Sequence, residues 1–164
     1  MDVKPQKNED LAQLGELIED ISVCMLTTID DVDSLVARPM SPVEMCEEGA
    51  VWFLTDPNTT KTQHLKLVNL AFSNESKGTY VSVSGHGEIV KDRQRIEDLW
   101  TAFARPWFPE GADSSNLALL KFVPHSAEYW DAPNSKMVRM FAMVASIIAA
   151  KPVGMGDHGN LNAL

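Results

Sequence analysis

The chain has 164 residues, 45% of them hydrophobic, which is the size of one ordinary domain with a core of its own. Its 14 Lys plus Arg against 23 Asp plus Glu give a formal charge of -9, a field that repels nucleic-acid backbones and anionic lipid surfaces. Cys24 and Cys46 are too few for a disulfide scaffold or a structural zinc site, and the sequence shows neither a signal-peptide core nor an apolar run of about 20 residues, so a cytoplasmic protein with no membrane or nucleic-acid partner is expected.

Leu11, Leu14, Leu17, Ile18 and Ile21 recur at helical spacing behind Asn8-Glu9-Asp10, which predicts a first amphipathic helix. SVCMLTTI, from Ser22 to Ile29, reads as a strand that ends in the acidic turn Asp30-Asp31-Val32-Asp33. Leu35 to Met45 reads as one irregular strand, because Pro39 and Pro42 belong on an edge or at a bulge. Glu47-Glu48-Gly49 turns into the apolar strand Ala50 to Thr55, after which Asp56-Pro57-Asn58-Thr59-Thr60 starts a short helix through Lys66.

Val68 to Ser73 and Thr79 to Val90 predict two further strands, the second alternating Ser82, Ser84, His86 and Glu88 with Val81, Val83, Gly85 and Gly87. His86 is expected to pack. Asp92 caps a helix with Ile96, Leu99, Trp100 and Phe103 on its apolar side, and a loop from Arg105 to Asn116 holds Pro106, Trp107, Phe108 and Pro109. Leu117 to Val123 and Ala127 to Trp130 supply the last strands. A helix over 136–150 presents Met137, Met140, Phe141, Val144, Ile147 and Ile148, which need burial against the body or a partner, and 152–164 reads as a mobile tail. Short antiparallel strands with helices inserted between them favour a mainly β fold with peripheral helices, a small barrel in one domain over 1–164 with its core at about 8–132.

The stretch richest in chemistry is VWFLTDPNTTKTQHLK, a strand ending in Thr55 and a turn into Thr59-Thr60-Lys61. Backbone N–H groups, two hydroxyls and an ammonium gathered there suit a phosphate, although a capping Thr59 and a solvated Lys61 account for the same residues. Arg38-Pro39-Met40, on the preceding strand, is expected to run beside Trp52-Phe53-Leu54-Thr55, bringing a cation and a flat apolar wall to the same place. His64, His86, His125 and His158 show no metal-ligand spacing, and no Ser, His, Asp order points to hydrolysis.

Taken in order, the helix into SVCMLTT, the ARPM strand, WFLTDPNTTKTQHLK, VSVSGHGEIVKD and ALLKFVPHSAEYWD resemble the pyridoxamine-phosphate-oxidase-like split-barrel flavoproteins, and within them the general stress protein 26-like branch, over about residues 8–132. The resemblance implies an antiparallel Greek-key split β-barrel and a homodimer with a flavin site at the subunit interface. It implies FMN, since the pocket ends on a terminal phosphate, with FAD admitted if its adenylate extends into solvent. Lys61 is then the phosphate's counter-ion, Thr59 and Thr60 donate hydroxyls, Thr55 contacts the ribityl chain or phosphate, and Arg38 lies near the ring edge or the phosphate. Pro39, Met40, Trp52, Phe53 and Leu54 flank the ring and ribityl chain. Trp107 and Trp130 reach the isoalloxazine ring from the partner subunit, with core or dimer packing as the equal alternative.

In functional terms the resemblance implies an FMN-binding general stress protein, with flavin-dependent oxidoreductase chemistry on a substrate the sequence does not name. A flavin-storing or sensing protein and a flavin-free interaction module are the alternatives. Pyridoxamine-phosphate oxidation itself is disfavoured, because after Trp130 the chain departs from the oxidases' basic, substrate-binding C-terminal strand region.

Overall fold

The computed structural model describes residues 1–131 and 157–161, with the backbone alone at 60 and 61. The chain opens with β1 (Asp2–Val3) and α1 (Glu9–Ile18). Asn8 starts the helix, its Oδ1 accepting from the Leu11 N–H at 2.8 Å, while Glu9 and Asp10 complement the positive end of the helix dipole. Leu11, Leu14 and Ile18 are buried on one side of α1, and Ile21, past its end, joins them.

The strands that follow are β2 (Cys24–Ile29), β3 (Leu35–Met40), β4 (Pro42–Met45), β5 (Val51–Thr55), β6 (Val68–Asn74), β7 (Thr79–Val90), β8 (Ala118–Asp131) and β9 (Asp157–Leu161). They form one curled sheet in the order β1-β4-β5-β8-β7-β6-β2-β3, with β9 also paired to β8. Only the β1–β4 pair among the described strands is parallel.

The single irregular strand expected over Leu35 to Met45 is in fact two strands on different neighbours. β3 pairs with β2, placing Arg38 opposite Leu26, and β4 pairs with β5, placing Pro42 opposite Phe53. Neither Pro39 nor Pro42 has an N–H for a ladder, and between them, at Ser41, the chain crosses from the last strand of the sheet to the other arm of the curl. Arg38-Pro39-Met40 therefore does not lie in the ladder beside Trp52 to Thr55, correcting the pairing expected from the sequence.

β7 and β8 are the long strands, in register from Thr79 opposite Asp131 to Val90 opposite Leu119, with a bulge between Ser84 and Gly85. At the bulge the two backbones approach so closely that a Cβ on Gly85 would lie 2.1 Å from the Val123 carbonyl oxygen. The main core packs α1 against the inward residues of the sheet, with Phe53, Phe72, Phe122 and Leu70 essentially without solvent exposure. A second core lies on the outward side of β5 and β8, where Trp52 and Leu119 meet Ile96 and Leu99 of α2 (Arg93–Leu99), together with Ala104, Phe108 and Leu117.

Residues 157–161, expected in a mobile tail, instead form β9 against the end of β8. Leu161 enters the core, 4% exposed, and Gly159 lies against the Tyr129 ring so tightly that a Cβ there would come within 2.7 Å of Tyr129 Oη. The helix expected over 136–150 lies outside the described residues. No helix among the described residues is long and apolar enough to cross a membrane.

Candidate functional site

Side chains of a strand alternate between its two faces, so along β5 Trp52 and Leu54 point one way and Phe53 and Thr55 the other. Phe53 points into the main core with no exposure. Trp52 points the other way, beneath the Arg95 guanidinium at 5.1 Å and the Lys121 ammonium at 6.0 Å from the ring centroid. Leu54 and Thr55, at the strand's end, are the two that reach a cavity of about 470 Å³.

Pro39, Met40, Ser41 and Val43 form one wall of that cavity, so the chain crossing at Ser41 does bring Pro39 and Met40 to Leu54 and Thr55, though not by ladder pairing. Thr101, Phe103, Ala104, Trp107 and Phe108 also line it, together with Asp56, Thr59 and Asn116. Thr55 is 1% exposed and its Oγ1 is buried without a hydrogen-bond partner among the described residues. A buried hydroxyl without a partner is costly.

The turn after β5 is built by its own side chains. Asp56 Oδ1 accepts from the Asn58 N–H at 2.8 Å, and Asp56 Oδ2 accepts from Asn116 Nδ2 at 3.1 Å. Thr59 Oγ1 donates back to the Asp56 carbonyl at 3.0 Å, and Thr62 Oγ1 reaches the Pro57 and Thr59 carbonyls, each at 2.7 Å. In place of the helix expected through Lys66 there is a single 3-10 turn, Thr60–Gln63, whose N-cap Thr59 makes no side-chain cap bond because its hydroxyl is turned backward. Four residues carry little dipole, so any anion here is held by local donors. The side chains of Thr60 and Lys61 lie outside the described residues. The exit from the turn is fixed where the Leu65 carbonyl accepts from the Gly87 N–H at 2.7 Å.

Arg38 is not part of the cavity wall. Its Nη1 donates to Thr28 Oγ1 at 3.2 Å across the β2–β3 pair. Trp107, expected to reach a ring from a partner, lines the cavity of its own chain and is 66% exposed. Trp130 lies far along β8, stacked on His158 with ring centroids 5.1 Å apart, and does not line the cavity. His64 Nε2 is 3.6 Å from Asp31 Oδ1, linking the turn to the β2–β3 hairpin. His86 is only half-buried; its Nδ1 lies 2.8 Å from His125 Nε2, so one imidazole donates and the other accepts.

Phe103 was missed. Sequence periodicity continues α2 through it, but the helix ends at Leu99, Trp100 adopts extended geometry, and Phe103 emerges 71% exposed on a short 3-10 turn, Ala102–Ala104. Ala104 and Phe108 anchor this wall in the second core. The wall's position depends on α2, which is held by Glu44, a β4 carboxylate with its side chain 7% exposed that accepts from Arg95 Nη2 and lies 3.9 Å from Lys4 Nζ.

Comparison with known proteins agrees with this architecture. A family model described as pyridoxamine 5'-phosphate oxidase like matches residues 9–153. The structure of a candidate general stress protein 26 from Jannaschia sp. CCS1 superposes with a TM-score of 0.72 at 24% identity, covering 93% of this chain and 98% of that one. The general stress FMN/FAD binding protein of Xanthomonas citri is 26% identical, with a TM-score of 0.64 over 76% of this chain and 88% of its own. Protein bli-3 of Neurospora crassa is 21% identical over 165 residues, 93% of this chain and 79% of that protein. The sheet is thus the split β-barrel of these relatives, and the chain belongs to the pyridoxamine 5'-phosphate oxidase like family.

Proposed function

We propose that this chain is an FMN-binding flavoprotein of the general stress type, a cytoplasmic oxidoreductase that uses the cavity beside Thr55. The observation that carries the reading is Thr55, a lining residue whose buried hydroxyl has no partner among the described residues, at a cavity whose size falls within the roughly 300–1,000 Å³ of small-molecule sites. On this reading a ribityl hydroxyl or a phosphate oxygen is the acceptor for Thr55. The turn at Thr59, Thr60 and Lys61 takes the phosphate, with Lys61 as the counter-ion, while Pro39, Met40 and Leu54 lie along the ribityl chain and ring. A bound flavin supplies electron-transfer chemistry, and the protein's part is to bind and orient it. Likeness to the general stress FMN/FAD binding protein of Xanthomonas citri supports flavin as the ligand class.

The reading includes a second copy. Met25 faces outward opposite Pro39 and Ala71, and Thr27 opposite Ala37 and Asn69, so the outer side of β2, β3 and β6 is uncharged along this stretch. Pro39 belongs both to that face and to the cavity wall, so a copy seated there closes the cavity. Mass analysis of the released ligand tests FMN against FAD, and light scattering tests the copy number. Bound flavin of FMN mass on a dimer is the expected result; a flavin-saturated monomer rules out the shared site. Turnover with NAD(P)H then separates an oxidoreductase from a flavin store.

A further inference from the structure

The lining of the cavity carries two large rings that none of the described residues covers. Phe103 and Trp107 are 71% and 66% exposed, with ring centroids 6.3 Å apart and planes at 44°. Their exposure is not looseness of the segment, because Trp107 and Phe108 both donate backbone N–H groups to the Ala104 carbonyl, and Ala104 and Phe108 are buried. A fixed wall that presents aromatic faces to a cavity is a recognition surface for another flat apolar group.

Charge restricts what that group is. Among the described lining side chains there is no Lys, Arg or His, and Asp56 is the one that carries a charge. The whole chain adds a field of formal charge -9. On the flavin reading, the cation of the Lys61 turn is already committed to the cofactor's phosphate, so a second anion in the cavity finds no counter-ion among the described lining side chains.

We propose that the compound that meets the flavin in this cavity is an uncharged planar aromatic molecule held against Phe103, an inference that rests on the flavin reading for its reaction partner but not for its binding surface. Phe103 is then a specificity-determining residue, selecting flat neutral rings over phosphorylated or sulfonated ones.

The test uses the full chain loaded with FMN and two probes that share a naphthalene ring, neutral 2-naphthol and anionic 2-naphthalenesulfonate, with neutral 2-naphthalenesulfonamide as the control for the bulk of the sulfonyl group, followed by equilibrium dialysis in the wild type and in Phe103→Ala. The naphthol is expected to bind about tenfold more tightly than the sulfonate, because a like charge held close is strongly penalised. Phe103→Ala, compared with the wild type at saturating FMN, is expected to weaken naphthol about fivefold with subunit mass unchanged. Equal binding of the two probes, or naphthol binding that ignores Phe103→Ala, overturns the proposal. So does a dimer that dissociates in Phe103→Ala, since the ring is then a contact between copies. If the wild type takes up no FMN yet discriminates the probes through Phe103, the flavin reading fails and the aromatic surface stands.

Discussion

Thr55→Val separates the ligand's need for a hydroxyl from the fold's. The Thr55 side chain is 1% exposed and its Oγ1 has no hydrogen-bond partner among the described residues, so in the ligand-free protein the hydroxyl contributes a desolvation penalty of about 1–3 kcal/mol. Valine has nearly the same shape and leaves no cavity on β5, so the flavin-free protein should gain about 1 kcal/mol. For a chain of 164 residues that is a rise in Tm of about 2–4 °C. Flavin binding should move the other way, because the lost hydrogen bond is worth about 1 kcal/mol, or roughly fivefold in Kd. Thermal unfolding of the flavin-free protein and an FMN titration by flavin fluorescence measure both. A variant that melts lower without flavin and binds FMN as tightly as the wild type refutes the reasoning, since Thr55 would then be bonded within the fold.

Glu44→Gln leaves Arg95 beside Trp52 without its carboxylate and should cost about 3 kcal/mol in a urea titration, with looser flavin binding as α2 and its cavity wall shift. Unchanged stability would show the pair to be dispensable. Gly85→Ala drives a Cβ to within 2.1 Å of the Val123 carbonyl and should destabilise by at least about 2 kcal/mol or prevent soluble expression, which expression and denaturation assays detect. Burial pushes the Cys24 thiol from 9.0 up to about 12, so above pH 9 the unfolded chain binds fewer protons than the folded one. Stability should therefore fall as pH rises from 9.0 towards about 12; urea midpoints on either side of pH 9 measure the slope, and the slope should flatten in Cys24→Ala.

Local pattern was readable where it governs local structure. Asn8 ahead of Leu11 and Leu14 marks α1, and the alternation of Val81 and Val83 with Ser82 and Ser84 marks β7 with its inward face. Partners across the sheet were not readable, because the crossing at Ser41 is settled by which long-range pairings bury more surface, and Pro39 and Pro42 signalled only that the ladder is interrupted. The turn after Thr55 was readable as a turn but not as a 3-10 turn, since the choice depends on whether the Thr59 hydroxyl points forward to cap or backward to Asp56.

Alternation along β5 puts Leu54 on the face of Trp52 and Thr55 on the face of Phe53, so it does not pick out the pair; Leu54 and Thr55 reach the cavity because they stand at the strand's end. Phe103 follows helical periodicity but lies beyond the break at Trp100, and only the packing of Ala104 and Phe108 turns its ring outward. β9 was hidden in a run of polar and glycine residues whose one buried anchor, Leu161, has no periodic neighbours to announce it.

The central claim is the flavin, and the most direct measurement is an absorbance spectrum of the purified chain with FMN added back, beside Lys61→Ala. Flavin bands that stay with the wild type through gel filtration, and are weakened by Lys61→Ala, are the predicted result. No flavin retained by either protein at micromolar FMN would contradict the account and leave the cavity to another ligand.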